Sequence, residues 1–481
     1  MELIVLLGIP ALLAWCVVYL RFAGIVGCLL ATLLAGTVVG HPFFHISVIT
    51  FDRLLLGASV ALFAGYEIRG WNQPRNWSLA DGLFAFFIVA LILTTVVVQS
   101  TGDRAGQYSK LIFFFLLPAV MYAVGSQAAL TAKQLRLMFV TLAVFGMYLA
   151  LTAVAEKLGW KWAVFPKYIA DPTFAEFLGR GRGPLLNPAA NGILLTLSLC
   201  CGLMPLLWYR GIRQLSVLAT VPIYMIGIFC TMTRSVWLGC AVALVGICVA
   251  FVPTRWRFAL AMAVLGCGSL AVLVDVKELL TFKRDQNVTV EQMSESASLR
   301  PILATVAWKM FQDRPLLGCG TGQYLATAKH YLFDRSTNLP LEKVRPYVQH
   351  NMFLAMLVEN GLITLIPFCC LLVCWTQWSW QLWTSSQLAM EYRQLGLVSL
   401  GLLSAYIVNG IFHDVLIFPM INMYMFFVAG SVRNCAVHLR PYSCKPTQPA
   451  AVRRITPNPC LNPLAPSTAF SPKSPVGPRF D

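Results

Sequence analysis

Charge is what this 481-residue chain has least of. Asp, Glu, Lys and Arg make up 12% of it, against about 25% in a soluble domain, so an ordinary water-soluble fold is excluded. Acids are the scarcer sign, 20 against 36 Lys and Arg. No Asp-x-Asp pair occurs anywhere, so the usual carboxylate arrangement for recruiting Mg²⁺ is missing. There is no Walker A motif, no internal repeat and no His/Cys spacing that resembles a zinc site. Cysteine is not lacking, but most of the 15 lie inside apolar segments, as Cys200, Cys201, Cys369, Cys370 and Cys374 do. There they pack as small hydrophobes, and no disulfide framework is implied.

What the chain has is apolar length. It is 58% hydrophobic, with a mean hydropathy of +0.70. Residues 82–98 carry no charge at all and suit a hydrocarbon core about 30 Å thick. Similar segments recur near 3–20, 22–40, 46–65, 109–125, 135–154, 191–208, 215–231, 234–252, 257–275, 351–375, 395–412 and 415–432. The pattern predicts an all-α, polytopic transmembrane bundle of about 12–14 spans, in contact with membrane lipids. The first run has only Met1 and Glu2 before it and flows into a second apolar segment, so it is expected to be a retained helix and not a signal peptide.

The net charge of +16 is spread over short loops and the C-terminal tail, which reads as topology and not as nucleic-acid binding. Arg69 and Arg75, Lys133 and Arg136, Arg210 and Arg213, and Arg255 and Arg257 occupy alternate loops. On the positive-inside rule these face the cytoplasm, and loops 155–190 and 276–350 face outward, into the periplasm of an inner-membrane protein. Loop 155–190 is itself basic, which suggests that its charges serve another purpose. The expected organisation is an N-terminal helical region over 1–154, a functional region over 155–434 that includes the large loop 276–350 with its short helices, and a tail over 435–481. From Pro441 the tail is proline-rich and basic, lacks the means to bury a core and is expected to be disordered and cytoplasmic.

Within the large loop, Leu299, Leu303, Val306 and Met310 stand at helical spacing, predicting a surface helix over 296–311 with Pro301 near its first turn. The run Pro315-Leu-Leu-Gly-Cys-Gly-Thr-Gly-Gln-Tyr324 has its glycines as GxGxG. That is not the dinucleotide fingerprint, and a tight turn is the ordinary meaning of such a run.

Four stretches then occur in a telling order. They are Arg180-Gly-Arg-Gly-Pro with Asn187-Pro-Ala-Ala-Asn-Gly192; Thr231-Met-Thr-Arg-Ser-Val-Trp-Leu-Gly239; Ser298-Leu-Arg300 with Trp308 and Arg314-Pro-Leu-Leu-Gly-Cys-Gly-Thr-Gly-Gln-Tyr324; and His350-Asn-Met-Phe-Leu-Ala-Met-Leu-Val-Glu-Asn-Gly361. Together, over about 180–375, they resemble the O-antigen ligase and O-antigen polymerase superfamily of bacterial membrane glycosyltransferases. The N-terminal third matches that family only in hydropathy, and the tail is outside its pattern. The resemblance implies a reaction on the periplasmic face: transfer of a glycan from undecaprenyl diphosphate to a lipid- or glycan-bound sugar hydroxyl, inverting, with no metal and no cofactor. It carries Arg234, Arg300 and His350 over as catalytic residues.

The chemistry suits those residue types. A leaving diphosphate needs its charge neutralised, and arginine binds phosphate oxygens through a planar fork that stays charged. The acceptor hydroxyl needs a base, and an imidazole of ordinary pKa near 6.5 can act as one. Each residue also has a plainer reading: an interfacial arginine is usually a snorkelling anchor, and a histidine at a helix mouth is usually a capping group. Arg180 and Arg182 are expected to help hold donor or acceptor, and Arg314 is a rival cation to Arg300. Glu359, within the last long apolar segment, is costly unless paired; an arginine partner, orientation of His350, a substrate contact and a structural ion pair are all open. His41, His45, His330, His413 and His438 carry no constellation. Polymerase and protein O-oligosaccharyltransferase are alternatives within the superfamily. A transporter is the alternative from another class and would be expected to keep charges at the bilayer midplane.

Overall fold

The computed structural model describes residues 24–40, 45–46, 49–72, 77–98, 104–128, 130–251, 256, 290–334, 336–345 and 347–438. The expected spans 3–20 and 257–275 and the tail from 441 lie outside the described residues. Helices dominate: α1 (Gly24–Val39), α2 (Phe51–Ile68), α3 (Leu79–Val97), α4 (Arg104–Gly125), α5 (Ala132–Leu158), α6 (Pro188–Leu203), α7 (Ile212–Cys230), α8 (Arg234–Phe251), α9 (Val290–Asp313), α10 (Tyr324–Ala328), α11 (Met352–Asn360), α12 (Leu362–Thr384), α13 (Met390–Phe412) and α14 (Pro419–His438). Among the described residues the only strands are a two-residue antiparallel pair, His45–Ile46 with Ile49–Thr50. Among the described residues eight helices (α3 to α8, α12 and α13) are long and apolar enough to cross a membrane. The chain is a multi-pass helical bundle, with fewer clear spans among the described residues than the 12–14 expected.

Local sequence sets the helix starts. Ser78 and Asp81 form a reciprocal capping box on α3, and Thr131 and Gln134 do the same on α5. Asn187 caps α6, accepting from Ala189 N at 2.9 Å with Pro188 in the first turn. Almost every residue of α6 is buried, and α5, α7, α8 and α13 pack around it. On the other side of the bundle α12 packs on α3 and α13, and α14 packs on α4. Trp375, Phe87, Phe368 and Tyr424 are fully buried there.

Two structural corrections bear on function. The apolar segment 351–375 is not one helix but two, α11 and α12, broken at Gly361 with φ 71°. The loop helix is longer than expected, so Pro301 lies inside α9 and not in its first turn. The predicted face is real: Leu299, Leu303, Val306 and Met310 are all buried, in a small core of the loop that also holds Cys319, Tyr324, Leu341 and Val358.

The two ends of the bundle differ. At one, Arg433 donates to Asp81 at 3.0 Å, Arg136 to Glu391 at 2.6 Å and the Trp208 indole to Gln394 at 2.9 Å. Arg136 and Arg433 are here each paired with an acid. The other end holds the loop after α5, the α7–α8 turn, α9 to α11 and the C-terminal end of α13, and every site residue drawn from the sequence lies there.

The α6–α8 contact is tight because Gly192 leaves no side chain: a Cβ there would overlap both methyl groups of Val236. A Gly192→Leu variant should therefore be destabilised by about 1–3 kcal/mol through overpacking. The expected result is a lower unfolding midpoint in detergent than wild type or Gly246→Ala, whose glycine faces open space.

Candidate active site

The loop after α5 is built around a buried acid and a buried base. Glu156 accepts from the backbone amides of Arg182 at 3.2 Å and Gly183 at 2.9 Å. Arg182 is fully buried, and its guanidinium donates to the carbonyls of Ile169, Phe174 and Glu176. Those bonds gather residues 169–176 around one cation, whose charge is satisfied by carbonyl oxygens. Arg182 therefore organises the loop and is not exposed to a substrate, which corrects its expected role. Arg180 is half-buried and donates to Met232 O at 3.2 Å and Thr233 Oγ1 at 2.8 Å. It is thus held against the Thr-Met-Thr-Arg-Ser turn, at the edge of the candidate site.

That turn joins α7 to α8. Met232 has φ 50°, a left-handed conformation costly for a side chain with a Cβ, and Thr231, Met232 and Thr233 are buried. Arg234 follows, half-buried, in the first turn of α8, where the helix N-terminus adds partial positive charge. Next to it, Ser235 Oγ donates to Asn409 Oδ1 at 2.9 Å and meets His413 Nε2 at 3.1 Å. On the same end of α13, the Arg300 guanidinium lies over the Phe412 ring, 5.6 Å from its centroid. His350 has φ 50°, and the following Asn351 caps α11 and donates to Ile411 O at 2.9 Å. Residues 411–413 thus touch Asn351, Arg300 and Ser235 in turn. Arg300 stands close enough for its charge to act on both Arg234 and His350. The three residues carried over from the motifs share one mouth.

The electrostatics of this mouth are positive. Among the described residues neither Arg234 nor Arg300 is ion-paired to a carboxylate. Partial burial, and then the charge of Arg300, hold the His350 imidazole below the usual histidine range. Its ring remains solvent-accessible. Both effects favour its neutral form, which can accept a proton, while the arginines offer forks to an anion. Among the described residues no three His, Cys, Asp or Glu side chains converge in a way that could hold a metal ion.

The glycine run does something else. Cys319 N donates to Val358 O at 2.9 Å, Gly320 N to Glu359 O at 2.8 Å, and Gly322 N to Glu359 Oε2 at 2.7 Å. Tyr324 N reaches the other carboxylate oxygen at 3.3 Å. A phosphate cradle needs free amides, and these are consumed by α11. Glu359 is thereby spent on the loop, with Lys110 Nζ on the adjoining Gly322 carbonyl at 3.3 Å. It bonds neither arginine nor His350. Arg314 follows the C-terminal end of α9, about 20 Å from Arg300 at a rise of 1.5 Å per residue. It lines a separate cavity with Val97, Val98 and Pro315–Gly318. Glu359 and Arg314 thus lie apart from the mouth. His413, which the sequence left without a constellation, is part of it. Its signal could not be read, because its partner Ser235 is distant in the chain.

Among curated proteins no match to the chain is found. Residues 215–369, which carry Arg234, Arg300 and His350, match the family model described as O-antigen ligase, and this match supports the resemblance to the O-antigen ligase superfamily.

Proposed function

We propose that the chain transfers a glycan from undecaprenyl diphosphate to a sugar hydroxyl at the periplasmic face of the inner membrane, as an O-antigen ligase-like enzyme. The observation that carries this reading is the shared mouth of Arg234, Arg300 and His350, two arginines with no carboxylate ion pair among the described residues beside an imidazole. In the reaction the acceptor oxygen attacks the anomeric carbon and the carbon–oxygen bond to the diphosphate breaks, inverting that centre. The acceptor proton passes to His350. The diphosphate leaves with its growing charge held by Arg234 and Arg300, whose bidentate bonds strengthen as that charge develops. Arg180, held against the same turn, contributes to the positive wall. Metal-independent chemistry follows, so transfer should persist in EDTA, and an absolute need for Mg²⁺ or Mn²⁺ would overturn the arginine assignment. A transporter is disfavoured because the candidate charges gather at one end of the bundle and not at its middle.

The biological test is deletion of the gene, with analysis of surface polysaccharide and of the lipid-linked pool. Ligase action predicts loss of the capped surface product with accumulation of full-length lipid-linked chains. Short single-repeat products would instead indicate a polymerase.

Purified variants separate the roles. Arg234→Ala and Arg300→Ala should weaken binding of undecaprenyl diphosphate, each losing a charge-assisted bond of about 1.5–3 kcal/mol, and lysine should rescue only in part. His350→Ala should lower single-turnover transfer by about 10²–10⁴-fold with donor binding nearly unchanged. A base whose pKa is depressed stays neutral, and active, to lower pH than an ordinary histidine. Activity should thus fall on an acid limb below about pH 6.5. Arg300→Gln removes the neighbouring positive charge and should move that limb upward, whereas Arg300→Lys should leave it in place. A limb that ignores the charge at position 300 would mean that His350 is not the group being titrated.

A further inference from the structure

We propose that His413 is a positioning residue for Arg234, fixing the first turn of α8 against the end of α13 through Ser235. The proposal rests on the reading of Arg234 as a diphosphate ligand. Its basis is a hydrogen-bond chain whose directions can be worked out. Asn409 Nδ2 donates to Ala405 O at 2.8 Å, so its Oδ1 is the atom turned to Ser235. The single Ser235 hydroxyl proton goes to that oxygen, at 2.9 Å. The contact of 3.1 Å between Ser235 Oγ and His413 Nε2 then requires the imidazole to donate, so the proton sits on Nε2. The backbone closes the loop: His413 N donates to Asn409 O at 2.8 Å. Ser235 is buried, 7% exposed, so a lost partner there would not be replaced freely by water.

Arg234 needs such fixing. It emerges from a turn with a left-handed Met232, a conformation that persists only when its surroundings hold it. Arg180 holds the turn from one side, through Met232 O and Thr233 Oγ1. His413 and Asn409 hold the residue after Arg234 from the other. The neighbouring Phe412 lies beneath Arg300, so two consecutive residues at the end of α13 set the positions of both arginines. Residues 412 and 413 act as a spacer between the two cations that face the diphosphate.

The test uses the full-length protein in detergent, with undecaprenyl diphosphate as the binding probe and membrane-extracted lipid-linked glycan for single-turnover transfer. His413→Ala should weaken binding by about two- to tenfold, the worth of one neutral hydrogen bond, while the acid limb of transfer stays where wild type has it. His413→Gln, whose amide can still donate to Ser235, should recover most of the binding. Ser235→Ala should match His413→Ala, and the double variant should be no worse than either single one, because the two act as one unit. Unfolding midpoints are measured alongside; if His413→Ala does not accumulate, the contrast between Ser235→Ala and His413→Gln carries the same comparison. Wild-type binding in Ser235→Ala and His413→Ala overturns the proposal, as does a His413→Gln variant as weak as alanine. Loss of about 10²-fold or more in transfer with disappearance of the acid limb would make His413 the base and not a positioning residue. Arg234→Ala separates the two levels: if it binds the probe normally, the reading of Arg234 has failed and this proposal falls with it. If it binds weakly while His413→Ala is normal, only the role of His413 has failed.

Discussion

Backbone amides that fold over the end of an apolar bundle need acceptors, because the surroundings offer few. Two carboxylates supply them. Glu156, near the end of α5, takes the amides of Arg182 and Gly183. Glu359, near the end of α11, takes those of Gly322 and Tyr324. In both cases a glycine-rich motif crosses a helix end and a single acid receives two of its N–H groups. A buried acid would be costly alone, but the two backbone bonds that it accepts offset part of that cost. The glycines matter here as backbone: Gly183 and Gly322 have φ of 58° and 71°, left-handed values that glycine adopts readily.

This use of acids explains the charge balance of the mouth. Among the described residues near that end, Glu156 and Glu359 are committed to loop backbone and Asp334 to Lys309. Among the described residues neither Arg234 nor Arg300 is ion-paired to a carboxylate. At the opposite end Arg136 and Arg433 are each paired with an acid. The asymmetry is what an anion-binding site requires: like charges brought together repel in the free protein, and an anion relieves that repulsion when it binds.

Much of this was legible in the sequence. Charge-poor segments gave the helices, and the buried face of α9 follows from the spacing of Leu299, Leu303, Val306 and Met310. The order of the motifs picked out Arg234, Arg300 and His350 as one set. What was not legible depends on partners far apart in the chain. Arg182 and Arg180 look alike in Arg-Gly-Arg, yet one is wrapped by carbonyls and the other reaches the α7–α8 turn; only the fold distinguishes them. His413 has no visible motif, since its meaning comes from Ser235. The break at Gly361 was hidden because apolar residues continue on both sides, so hydropathy sees one span.

That break ties the loop to the site. Ending α11 and starting α12 within one apolar stretch frees carbonyls on one side and amides on the other, each costly if left unpaired. The loop 315–320 satisfies both. Leu362 N donates to Pro315 O at 2.9 Å and Ile363 N to Leu316 O at 3.3 Å, while Val358 O and Glu359 O accept from Cys319 and Gly320. Close approach is possible because Gly361 has no Cβ to meet the Leu316 carbonyl. Thr321 adds a bond to Asn360 at 2.7 Å, and Thr94 of α3 joins the same oxygen at 3.0 Å. A short helix that would otherwise fray is therefore clamped at its C-terminal end by the loop. At its N-terminal end it is clamped by Asn351, through its cap and the bond to Ile411. His350 projects from the clamped end. The glycine run, whose spacing suggested a ligand loop, serves the mouth at a distance: it holds α11 rigid, and a rigid α11 fixes where the imidazole stands relative to Arg300 and the end of α13.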